Sequence, residues 1–149
     1  MRHHTFDDTN TTGQYPVVLL FKNNAFLKHH IETYFVDPLV QLGVARKDII
    51  AFNLLCAGKS PKAKEVSEYL EQLTPILQHM GTKQIYCADS AYFKKLASRR
   101  KSEDFLSYML PSIIEGIDVT FGYSYSQIIY DSTYKDKADR ALNSIAESY

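Results

Sequence analysis

Gly58-Lys59-Ser60 stands just ahead of a helical pattern, where a glycine, a lysine and a hydroxyl could hold a phosphate. The nucleotide-binding pattern G-x-x-x-x-G-K-[ST] also needs an earlier glycine, and Asn53 occupies its place, so the motif is incomplete. Gly122-Tyr123-Ser124-Tyr125-Ser126 offers two serine hydroxyls, but it is not a G-x-S-x-G elbow and no histidine follows it to act as base. Cys56 and Cys87 have no C-x-x-C spacing and read as buried free thiols in a reducing compartment. His3 and His4, an adjacent pair in a polar terminus, supply too few ligands to fix a metal. No metal centre and no cofactor are expected.

One charge cluster has the right chemistry for phosphate. Lys94, Lys95, Arg99, Arg100 and Lys101 are the densest run of cations, with Tyr92 and Phe93 beside them as rings that could stack on bases. Lys59, Lys62 and Lys64 form a looser basic group upstream. The competing reading of the cluster is a solvated helix end whose cations favour the helix dipole. Lys plus Arg and Asp plus Glu number 17 each, so no global field draws the chain to nucleic acid or to an anionic membrane, and any such contact must be local.

These residues must be positioned by a scaffold, and the apolar pattern describes one. Val17 to Phe21, Ile49 to Phe52, Gln84 to Ala88 and Ile117 to Phe121 are short β-favouring runs separated by helical patterns. That alternation predicts an α/β fold, a three-layer α/β/α sandwich around a four-stranded parallel sheet. Ligand sites of such sheets lie at the carboxyl ends of the strands. Those ends are Lys22-Asn23-Asn24, Asn53 to Lys64, Asp89-Ser90 and Gly122 to Ser126.

A chain of 149 residues, 45% of them apolar, suits one domain, expected over residues 15–149 after a loose polar leader, 1–14. Phe26 to Leu42 carry helical spacing that Pro38 should break or kink and Gly43 should end. Ser60 should cap a long helix from Lys62 to Met80, with Pro61 opening it and Pro75 kinking it. Ser102-Glu103-Asp104 should cap a short helix through Phe105, Leu106, Tyr108 and Met109, and a last helix should start near Ser132. No run reaches the roughly 18 to 20 apolar residues that span a bilayer, and no signal-peptide core opens the chain, so a cytoplasmic protein without membrane contact is expected.

Read together, the strand ends resemble a known family. Asn53 to Val66 is similar to the segment of uracil-DNA glycosylases in which an asparagine ends a strand and a proline-containing polar loop leads to a helix. Gln84 to Leu96 resembles that family's third strand and following helix, and Thr120 to Tyr130 followed by Tyr134 to Leu142 resembles its closing strand, late loop and terminal helix. The resemblance implies a base pocket in which Asn53 reads a pyrimidine edge and Phe21 or Tyr123 stacks on a flipped base. The family's water-positioning acid should follow the first strand, where Lys22-Asn23-Asn24-Ala25-Phe26 stands instead. Its late histidine falls on Ser124 or Tyr125, and serine supplies no equal donor to a departing base.

The scaffold thus resembles a glycosylase without its catalytic groups, as in the amino-terminal regions of some bacteriophage DNA polymerases. The resemblance implies a non-catalytic module of phage DNA replication that binds DNA weakly, or binds a replication protein such as a DNA polymerase. Two alternatives stay open: an active uracil-DNA glycosylase with divergent catalytic residues, and a small α/β domain that binds a phosphate ligand at a helix amino terminus.

Overall fold

The computed structural model describes residues 2–55, 60–98, 106 and 108–149. Its strands are β1 (His3–Thr5), β2 (Val17–Lys22), β3 (Ile49–Leu54), β4 (Gln84–Cys87), β5 (Met109–Pro111) and β6 (Asp118–Phe121). They form one sheet in the order β1-β3-β2-β4-β6-β5. The four inner strands are the four predicted runs, paired in parallel, with Val17 opposite both Ile49 and Gln84, and Gln84 opposite Asp118. The outer two run antiparallel, so the sheet is mixed and six-stranded, not purely parallel with four strands.

Helices cover both faces because the central strand is apolar on both. Val18 and Leu20 face a core shared with Val66, Leu70, Leu73 and Leu77 of α3 (Ala63–His79) and Phe93 and Leu96 of α4 (Ser90–Leu96). Val17, Leu19 and Phe21 face the opposite core. That side is closed by α1 (Lys28–Ile31), a π-helical stretch (Glu32–Val36), α2 (Asp37–Gln41), α5 (Tyr125–Tyr130) and α6 (Ser132–Ser148). Every residue from Val17 to Phe21 is fully buried. At roughly 1.5–3 kcal/mol for each large apolar side chain, this strand anchors the fold. Gly122 follows β6 because a Cβ there would enter the Tyr86 phenol, which is fixed by a 2.6 Å hydrogen bond from its hydroxyl to the Tyr123 carbonyl.

Several local expectations are corrected. The leader is not loose: β1 pairs with β3, Phe6 is buried, and Asn10 Nδ2 donates to the Gln14 and Lys47 carbonyls at 2.9 and 2.8 Å. His3-His4-Thr5 is too short and polar to announce a strand, and only tertiary pairing makes it one. Pro38 does not break its helix. Lacking an N–H and crowding the carbonyl of Tyr34, it is accommodated by the wider π turn just before it, and the path continues to Gln41. Gly43, at φ +103°, follows the helix end as expected.

At α3 the cap is Lys62, not Ser60, and Pro61 lies outside the helix; Glu65 accepts a hydrogen bond from the Lys62 N–H at 3.4 Å. The helix continues through Pro75 to His79. Met109 belongs to an edge strand, not to a helix, and Pro111 suits that edge because a missing N–H there leaves no ladder bond unmade. Residues 102–105 of the expected short helix lie outside the described residues. Among the described residues, no helix is long and apolar enough to cross a membrane.

Candidate nucleic-acid interface

From β2 the chain crosses to β3 on one side, and the next strand, β4, pairs on the other. The direction of winding therefore reverses between β2 and β4, and the crevice at their carboxyl ends is where an open α/β sheet presents a ligand site. Here an ion pair spans it. Lys22 Nζ lies 3.0 Å from Asp89 Oδ2, bridging the ends of the two strands; the lysine side chain is 39% exposed and the aspartate 3%. The other oxygen of Asp89 accepts the Tyr92 N–H at 3.0 Å and caps α4. The carboxylate is thus occupied on both sides.

Asn53 is occupied in the same way. Its Oδ1 accepts the Arg2 N–H at 2.9 Å, its Nδ2 donates to Asn23 Oδ1 at 2.6 Å, and its backbone carbonyl accepts the Tyr69 hydroxyl. An asparagine amide can accept two hydrogen bonds and donate two, and this one makes one of each inside the fold. Phe21 is fully buried against Phe35 and Tyr86, with ring centroids 4.6 and 5.9 Å away, so it presents no face to a base. Ser124 is buried as the cap of α5: its N–H and hydroxyl donate to Gln127 Oε1 at 2.9 and 3.3 Å. Tyr123 is half-buried, with its ring 4.3 Å from that of Tyr134, and burial and that neighbour raise its phenol pKa. Asn53, Phe21, Tyr123 and Ser124 do stand at or near the carboxyl edge, but as framework.

The basic segments fare differently. Tyr92 and Phe93 are fully buried, and the Tyr92 hydroxyl donates to the Leu55 carbonyl at 2.7 Å, so neither ring can stack on DNA. The apolar positions of α4 point these rings into the core and leave Lys94 and Lys95 outside. Those two lysines line a cleft of about 420 Å³ with Ala91, and its far wall is Pro61, Ala63, Val66 and Ser67 at the start of α3. Lys62 and Lys64 are exposed on that same start, Lys64 within 3.8 Å of Glu68. The first turn of a helix has backbone N–H groups without helical partners and a partial positive charge. Lys59, Arg99, Arg100 and Lys101 lie outside the described residues.

One feature escaped sequence reasoning. His29 and His30 of α1 and Tyr125 of α5 meet as a run of rings, His29 on His30 at 4.0 Å and His30 on Tyr125 at 3.9 Å and 16°. Burial and the neighbouring His29 hold the His30 pKa below the ordinary imidazole value. The signal was a double histidine and a tyrosine pair far apart in sequence, which only the topology joins. Among the described residues no group of three His, Cys, Asp or Glu side chains could hold a metal ion. No family model matches the chain, and no curated protein matches it.

Proposed function

We propose that the chain is a non-catalytic module that binds single-stranded DNA through phosphate contacts in the cleft between α3 and α4. The carrying observation is that Lys94 and Lys95 line one cleft with the start of α3, on which Lys62 and Lys64 are also exposed. Phosphates seat on the lysines, and the small apolar side chains of the floor leave room for sugar. The resemblance to glycosylase-like regions of phage DNA polymerases supports a place in phage DNA replication, beside or within a polymerase, in the host cytoplasm. The reading as a binder, not an enzyme, is supported by the commitment of Asp89 and Asn53 to internal bonds.

Titration of labelled oligo-dT by fluorescence anisotropy tests it. Lys94→Ala/Lys95→Ala should weaken binding at low salt and lower the slope of log affinity against log salt by about 1.4, at roughly 0.7 for each single-strand phosphate contact. An unchanged slope would remove the cleft from the interface. The competing active glycosylase is tested separately, by release of uracil from uracil-containing DNA; no turnover is expected, and turnover abolished by Asn53→Ala would overturn the non-catalytic reading.

A further inference from the structure

We propose that the carboxyl edge carries a second contact for the same strand, a base-stacking ladder that ends on His29. This rests on the single-strand reading above and adds how bases, as distinct from phosphates, are held. The ladder has four rings from three structural pieces: His29 and His30 from α1, Tyr34 from the π-helical stretch that follows it, and Tyr125 from the distant α5. His29 meets His30, His30 lies flat on Tyr125, and Tyr34 braces Tyr125 edge-on at 5.0 Å. The inner three rings are half-buried and fixed by one another, whereas His29 is exposed.

Topology puts this ladder on the same edge as the cleft. The helical segment containing α1 follows β2, and α5 follows β6, just as α3 follows β3 and α4 follows β4, so all four begin at the carboxyl ends of the parallel strands. The cleft and the ladder lie on opposite faces of the sheet, and at the same edge the end of β2 carries Lys22 and the exposed Asn23 and Asn24. A base laid on the exposed His29 ring, which is tilted 54° from His30, adds one ring to the run, and the exposed Lys28 beside it can meet the adjoining phosphate. Glu32, the nearest acid along the helix, is already paired with Arg46 at 3.5 Å. Stacking of this kind accepts any base but needs it unpaired, so the ladder selects single strands over duplex without reading sequence.

The test compares two oligomers of equal length, oligo-dT and an abasic backbone, with the full chain and three variants. His29→Ala should weaken oligo-dT binding about tenfold, within the range for one base stacked on an aromatic ring, and leave abasic binding unchanged. His29→Trp should restore it. Lys94→Ala/Lys95→Ala should weaken both oligomers alike. His29→Ala that binds oligo-dT as the wild type does, or that loses equally on both oligomers, overturns the ladder while leaving the cleft standing. Wild-type protein that binds neither oligomer at low salt overturns the single-strand reading and the ladder together.

Discussion

Asp89 does two structural jobs from one buried carboxylate, and substitutions can separate them. Asp89→Ala removes both the α4 cap and the partner of Lys22, and should cost about 1–2 kcal/mol, mostly from the cap. Asp89→Asn keeps an acceptor for the Tyr92 N–H, and because Lys22 is well exposed the lost ion pair should cost under about 1 kcal/mol. Urea midpoints of the two variants measure the difference; equal losses would mean the ion pair, not the cap, dominates. Asp131 gives a pH prediction. Its carboxyl caps α6 by accepting the Thr133 N–H and hydroxyl at 3.0 and 2.9 Å, and these bonds, the backbone one foremost, hold its pKa below the ordinary 3.8. A depressed folded pKa contributes stability above the unfolded value and loses it as pH falls through the folded one. Asp131→Asn should therefore flatten the fall in stability below about pH 4, read as melting temperature against pH.

At the scale of elements, the legible parts were those whose signal is local. The inner strands announced themselves because residues buried on both faces form continuous apolar runs, as Val17 to Phe21 does. The edge strands did not, since His3–Thr5 and Met109–Pro111 owe their conformation to a neighbour and carry no pattern of their own. The same limit explains the site: Lys94 and Lys95 were legible as cations, but that Tyr92 and Phe93 turn inward is a matter of which helix face meets the sheet. Asn53 was legible as lying near a strand end, though β3 runs one residue further to Leu54, while its partners Arg2 and Asn23 come from segments with no visible relation to it. The amino-terminal anchoring can be measured directly. Phe6→Ala should destabilise by about 3 kcal/mol, as truncation of a buried aromatic does, whereas a loose leader would predict no change in the urea midpoint.

Across the whole molecule, two cores lie on opposite sides of one sheet, and both depend on the central strand. β2 supplies Val18 and Leu20 to one core and Val17, Leu19 and Phe21 to the other. Neither layer of helices can pack without it. Yet both partners of β2 come later in the chain: β3 supplies one edge, and β4, beginning at Gln84, supplies the other. During synthesis, then, the most apolar strand leaves the ribosome long before its second edge exists. At about 5–20 residues per second the interval lasts several seconds, far longer than a hairpin or helix takes to form. Through that interval a nascent β2 keeps at least one open edge, and both of its faces still lack the helices that follow β4, so the chain's exposure to aggregation depends on translation time as well as on the stability of the finished fold.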